Sequence, residues 1–269
     1  DGVYGVDDFV TYTDENGKTQ FQFDKSGNYI LKEGVTDNTY TTASSYGGLR
    51  PGAMKLKDQD GDHKITEKGD RVIIGRTQPK FTGGFGLSGN YKWFDISANF
   101  NFVVGNDVYN MDKMVSSQSY RNSYANLRAE MAPVTLGGKA WTYLDQSNGT
   151  IITDYETLKA MNANASYWSA ATMSDNNPVP TSWAVEDGSF LRLQNLTVGF
   201  TLPKDWTKKF ACNQFRLYCT LNNLFCLTGY DGYDPEVDTS SKKTPMCPGI
   251  DYAAYPKSRT FVGGINVTF

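Results

Sequence analysis

Two stretches carry the side chains that could do chemistry. In the first, Asp58, Asp60 and Asp62 alternate ahead of Ile65, and a further carboxylate follows at Asp70. Alternating carboxylates in a tight loop turn successive oxygens toward one hard cation, and a backbone carbonyl adds to the set. Asp58, Asp60, Asp62, Lys64 (through its carbonyl) and Asp70 could therefore hold Ca2+, although nothing in the sequence requires a cofactor. Two positions depart from the calcium-loop pattern: His63 stands where Gly is usual, and Gly69 puts the last carboxylate one place late. A solvated acidic turn held by bonds from side chain to amide has the same composition. The second stretch is Tyr230, Asp231, Tyr233, Asp234 and Glu236. Carboxylates beside tyrosines could be a glycosidase pair with rings for sugar stacking. No second motif supplies a shaped, water-excluding site, so no enzyme is expected. Tyr230, Asp231, Tyr233 and Asp234 are read instead as a loop that meets substrate or partner, or that packs on itself. Cys212, Cys219, Cys226 and Cys247 form no CxxC pair and the only histidine is His63, which argues against zinc. Cys226 and Cys247 could pair across one loop in an oxidising compartment.

The elements that must position these residues are strands. Phe81, Gly83, Phe85, Leu87, Gly89 and Tyr91 alternate with small polar or glycine positions, and Phe94, Ile96, Ala98, Phe100 and Phe102 repeat the pattern after a tight turn. Period two on both sides of a short connection is a hairpin. A second hairpin has Leu196, Val198 and Phe200 on one strand and Phe215, Leu217, Cys219 and Leu221 on the next. Leu191 and Leu193 lie on the other phase, which places a β-bulge near Gln194. Arg259–Phe269 supplies a final alternating strand.

These strands are longer than the usual soluble strand of about 5–6 residues and match the ~9–11 that cross a bilayer at a tilt. Connections are short around 92–93 and 203–213, and long over 1–78, 107–188 and 226–258. Short turns on one side and long loops on the other are the outer-membrane barrel pattern, and Tyr91, Trp93, Phe94, Trp206 and Phe210 cluster on the short side like an interfacial girdle. The expected fold is all-β, an antiparallel transmembrane β-barrel with long extracellular loops. Phe85, Leu87, Phe94, Ile96, Phe100, Phe102, Leu217, Leu221, Ile265 and Val267 would face outer-membrane lipid, and Asn99, Asn101, Arg216, Tyr218 and Asn222 a wet lumen. Five strands cannot enclose a polar interior, so further strands must come from outside this sequence. A soluble carbohydrate-binding β-sandwich is the competing reading, because it gives the same alternation.

Composition narrows the rest. A net charge of −3 without a basic stripe gives no footprint for nucleic acid. No run approaches 18 apolar residues, which excludes a membrane-crossing helix but not a barrel.

Several stretches together resemble the C-terminal barrel portion of the SusC/RagA family of TonB-dependent outer-membrane transporters. They are Lys57–Asp62 with Asp70–Gly75, Pro79–Phe85, Gly105–Asn110, Ser189–Phe200, Asn222–Phe225, Gly229–Val237, Tyr255-Pro256 and the terminal Arg259–Phe269. The resemblance implies a barrel of about 22 strands around a plug, in the outer membrane of a Gram-negative, Bacteroidetes-like bacterium. It also implies a SusD-like surface lipoprotein as partner, TonB coupling through an N-terminal part absent here, and import of oligosaccharides or, second, peptides. On this reading 1–78 is an extracellular loop containing the Asp-rich segment 58–70, and 79–106 is a hairpin. Residues 107–188 form a second extracellular loop, 189–225 a second hairpin, 226–258 a third loop and 259–269 the last strand. The plug and earlier strands lie outside the sequence.

Overall fold

The computed structural model describes residues 2–39, 48–117, 127–131, 139–170, 180–236 and 248–269. Cys247, and with it the Cys226–Cys247 pairing, lies outside them. The chain divides into two compact units, one of Asp1–Ile73 with Lys113–Pro180, the other of Ile74–Asp112 with Thr181–Phe269.

The second unit is built on a five-stranded antiparallel sheet of β1 (Phe81–Tyr91), β2 (Phe94–Val104), β3 (Phe190–Thr201), β4 (Gln214–Thr228) and β5 (Thr260–Thr268), in the order β5-β4-β3-β2-β1. Directly opposed residues share a face. Phe85 opposes Phe100, Val198 opposes Ile96, and Leu217 opposes both Phe200 and Ile265, so one face is apolar throughout. All ten residues expected to face lipid lie in β1, β2, β4 or β5, and seven of them, including Leu87 and Ile265 at 61% exposure each, are open to solvent. Phe85 and Phe100 stack at 4.8 Å on this face.

The register slips at Gln194, between Leu193 and Asn195, against both neighbouring strands. The slip has a clear physical result. Leu191 and Leu193, out of phase in sequence, oppose Phe102 and Phe100, while Leu196 and Val198 oppose Ala98 and Ile96. One extra residue thus keeps Leu191, Leu193, Leu196 and Val198 on the same face, while Phe190, opposite Val103, turns to the other with Arg192. β4 absorbs a further residue at Asn223–Leu224, where Asn223 takes φ 52°. The final strand lies antiparallel to β4, as the alternation requires. β1 and β5 are the sheet's two edges, and each leaves a row of backbone groups without a ladder partner. Among the described residues no helix is long and apolar enough to cross a membrane.

The first unit differs from the irregular, polar loops read from the sequence. It has its own core of Tyr4, Val6, Phe9, Phe21, Leu49, Ala53, Trp141, Tyr155 and Leu158. A hairpin of Thr11–Thr13 and Thr19–Phe21 and a helix at Tyr155–Met161 frame it. Asp154 caps that helix by accepting the Thr157 amide at 2.9 Å, and Phe21 meets Tyr155 edge-on at 5.3 Å. Three turns use one device: Asp14, Asp24 and Asp145 each accept the amide two residues on, with Gly17, Gly27 and Gly149 at positive φ. Asp and Gly suit such turns because the carboxylate mimics a backbone acceptor and Gly enters the left-handed region freely. Strand alternation gives no sign of this unit, because its core is assembled from segments far apart in sequence.

Candidate functional site

The polar face of the sheet carries a set of side chains hydrogen-bonded to one another. Strand alternation puts Asn99, Asn101, Arg216, Tyr218 and Asn222 there together. Asn99 donates to Asn195 across β2 and β3 at 2.8 Å, Asn222 donates to Thr260 at 2.9 Å, and the hydroxyls of Thr197 and Thr220 meet at 2.9 Å. Neutral amides and hydroxyls therefore make most of this surface. Its fixed charges near the short-turn end are paired: Arg216 donates to both Asp95 oxygens, at 3.1 and 2.5 Å. The pair spans β3, because Asp95 sits on β2 and Arg216 on β4. Gly199 makes the crossing possible, since a Cβ there would lie 2.3 Å from Asp95 Oδ1 and 2.4 Å from Arg216 Nη2. Arg216 also stacks over the Tyr218 ring at 5.3 Å. Sequence reasoning found Arg216 and Tyr218 but missed Asp95 and Gly199. The signal was a charged residue in phase with the polar positions, beside a glycine one strand over.

The Asp-rich segment forms a tight turn that brings Asp58, Asp60 and Asp70 together, with one oxygen from each inside a 4.8 Å set. Asp70 reaches the cluster despite arriving one place late. Asp62 does not join it, and its carboxylate accepts the Lys64 amide at 2.7 Å instead. Lys64 itself forms an isolated bridge with Asp37. His63 takes φ 61°, the left-handed conformation that the missing glycine would have supplied. Asp58 accepts the amides of Gly61 at 2.7 Å and His63 at 2.8 Å, and these bonds, the Gly61 one foremost, hold its carboxyl below the usual range. Asp60 accepts the Asp62 amide, which lowers its carboxyl, but burial and the nearby carboxylates of Asp62, Asp70 and Asp58 outweigh that bond and raise it. Asp58, Asp60 and Asp70 are the residues whose geometry could take a hard cation.

The loop after β4 serves packing at most of its named positions. Tyr230 is buried and donates to Asp251 at 2.6 Å. Burial first, and then the Asp251 bond, push the Tyr230 phenol well up. The Asp231 amide donates to Glu186 at 2.9 Å. Asp234 is buried against Arg192 at 2.5 Å; Glu236 meets Arg192 at 2.9 Å and Lys257 at 2.6 Å. The carboxylates Asp234 and Glu236 thus answer a buried guanidinium on β3, which is what an ion buried in protein needs. Asp231 and Tyr233 stand out into solvent, Tyr233 at 64% exposure. Arg192 was visible in the sequence as a charge next to the bulge, but its partners 42 and 44 residues away were not.

No family model matches the chain. A TonB-dependent receptor of Formosa agariphila is 28% identical over 280 residues, covering 100% of this chain and 24% of that protein. A second receptor of that organism is 30% identical over 238 residues, covering 85% of the chain and 20% of its own length. The TonB-dependent receptor SusC of Bacteroides thetaiotaomicron is 26% identical over 219 residues, 79% of this chain and 17% of that protein. In three dimensions the chain follows the RagAB peptide importer in its closed-closed state, with a TM-score of 0.52 and 19% identity over 100% of this chain and 22% of that one. The chain therefore spans a quarter or less of these relatives.

An antiparallel sheet with long strands, one apolar and one polar face and two open edges defines a class, the partial wall of a membrane β-barrel. Within that class the chain matches a fragment of the SusC/RagA family, and its homologues are TonB-dependent receptors.

Proposed function

We propose that this chain forms part of the wall and outer loops of a TonB-dependent outer-membrane importer of oligosaccharides, working with a SusD-like surface lipoprotein. The observation that carries this reading is the inverted sheet. Phe85, Leu87, Ile96, Leu217 and Ile265 are exposed on one face while amides, hydroxyls and a paired ion lie on the other. A soluble sandwich would bury that apolar face against a second sheet; lipid is the solvent that suits it uncovered. Oligosaccharide is favoured as cargo because the polar face offers neutral donors and acceptors, and its Asp95–Arg216 charges neutralise each other. The two open edges are where the remaining strands of the barrel would pair.

Three measurements test the reading. The chain in its complete barrel should require detergent to remain monodisperse, and a stable monomer without detergent would restore the sandwich. Deleting the parent gene should abolish growth on a glycan whose uptake plasmid expression restores. Uptake of peptides alone would keep the importer and replace the cargo. Co-purification with a surface lipoprotein tests the partner.

A further inference from the structure

The two short connections are neighbours in space, because Thr201 at the end of β3 donates its amide to the Trp93 carbonyl at 2.7 Å. Lys92 and Trp93 form the first turn, and the second contains Lys204, Trp206, Lys208 and Lys209. All four lysines are exposed, and none has an ion-pair partner among the described residues. The second turn's acid is the exposed Asp205, and Asp95 near the same end of the sheet is occupied by Arg216. Tyr91, Trp93 and Trp206 stand exposed at the end of the open apolar face.

One backbone detail sharpens this. Lys92 takes φ 53° in a two-residue turn between the opposed Tyr91 and Phe94. Glycine or asparagine would sit there without the steric cost a side chain incurs. Lys92 points its ammonium over the Tyr91 ring at 5.4 Å, at the border of the apolar face.

We infer that Lys92, Lys204, Lys208 and Lys209, with Trp93 and Trp206, form a strip that binds the headgroups of anionic phospholipid in the leaflet met by the short turns. Ammonium groups supply point charges for phosphate and indoles settle at headgroup level. Continuity with the apolar face favours lipid over a protein partner, because the acyl chains of a bound lipid would lie along Tyr91, Phe94 and Ile96. The inference rests on the barrel reading, and the test separates the two.

The complete barrel is reconstituted in nanodiscs of phosphatidylcholine with phosphatidylglycerol, and the lipids retained after mild extraction are counted by native mass spectrometry. Wild type should retain phosphatidylglycerol in preference, less so at high salt. The K92Q/K204Q/K208Q/K209Q variant should lose roughly tenfold or more of that preference, since each lysine near an anionic surface is worth roughly fivefold. K92G should relieve the turn, leaving thermal stability equal or higher, and still weaken retention. A K92G protein with unchanged retention would reduce Lys92 to a turn residue and overturn its part in the strip. Retention that is indifferent to the lysines, even with import lost in cells, overturns the lipid proposal and assigns the strip to a periplasmic protein. Failure of wild type to enter nanodiscs at all overturns the barrel reading instead.

Discussion

Gly199 lacks a side chain because Asp95 and Arg216 meet across it, and a residue with such a neighbour on each side has a testable signature. Gly199→Ala should push the pair apart and cost about 1–3 kcal/mol, the usual penalty of overpacking. The pair itself is partly open to water, with side chains 24% and 32% exposed, so Asp95→Asn should cost only about 1 kcal/mol. Chemical denaturation of the complete barrel in detergent measures both, and a Gly199→Ala cost no larger than that of Asp95→Asn would sink the crossing argument. Arg192 and Asp234 behave otherwise because they are buried. Asp234→Ala leaves the buried guanidinium with Glu236 as its remaining carboxylate and should cost up to about 3–5 kcal/mol, whereas Arg192→Met with Asp234→Leu should cost much less. In the acidic turn the sign of the pH response follows from the two carboxyls. Asp58, held low by amides, keeps the turn ordered above the ordinary carboxylate range and releases it only as pH falls through its own lowered value. Asp60, raised by its neighbours, disfavours the fully ionised turn and takes up its proton earlier in the same acidification. Amide shifts of Gly61 and Asp62 followed by NMR should therefore move at separate pH values, that of Asp62 first; coincident titration contradicts the assignment. Ca2+ at about 1 mM, the strength of extracellular modules, should drive both transitions to lower pH if Asp58, Asp60 and Asp70 take a cation together.

At the scale of elements the apolar face makes a quantitative demand. Arg placed at Leu87, Ile96 or Ile265 should cost about 2–4 kcal/mol in a bilayer, while Arg at Asn99 or Thr220 is tolerated. Folding into lipid vesicles with denaturant titration reads the difference, and equal damage on both faces would refute the assignment of sides. The strands were legible in the sequence because alternation is a local signal: each of β1, β2, β4 and β5 shows its apolar phase without reference to a partner. The bulge at Gln194 was legible for the same reason, as a phase change between Leu193 and Leu196. What alternation could not give was pairing at a distance. The contact of Arg192 with Asp234, of Tyr230 with Asp251, and of Asp95 with Arg216 depends on which strands lie side by side, and strand order is not written in any one segment. The same limit explains the substrate-or-partner loop. Its tyrosines and carboxylates have the composition of a sugar site, and burial of Tyr230 and Asp234 was needed to show that packing takes most of them.

At the scale of the whole molecule two kinds of stability coexist in one chain. The first unit is built inside out relative to the sheet, with apolar residues buried: Tyr4, Phe9 and Leu158 are fully enclosed. The sheet exposes its large apolar residues and keeps polar ones on its other face. Its strands hold together through ladder hydrogen bonds and opposed pairs, and its apolar face contributes only when a hydrocarbon solvent meets it. The aspartate-and-glycine turns of the first unit were present in the sequence as D-x-x-G signals at Asp14, Asp24 and, one residue longer, Asp145, yet the core they serve joins residues 4–53 to 141–158 and has no local period. Truncation therefore has opposite consequences in the two units. Leu158→Ala opens a cavity in a water-facing unit that owns its core, and should destabilise that unit by about 2–5 kcal/mol. Leu87→Ala removes a side chain that detergent or lipid contacts from outside, leaves no internal cavity, and should cost well under that. Hydrogen exchange resolved by segment distinguishes the two, because local opening reports the free energy of the unit that opens. Leu158→Ala should speed exchange in 4–31 and 141–162 while β2, β3 and β4 stay protected. Equal loss of protection in those strands would mean that the unit's core also sustains the sheet, and the division into two independently stabilised units would have to be abandoned.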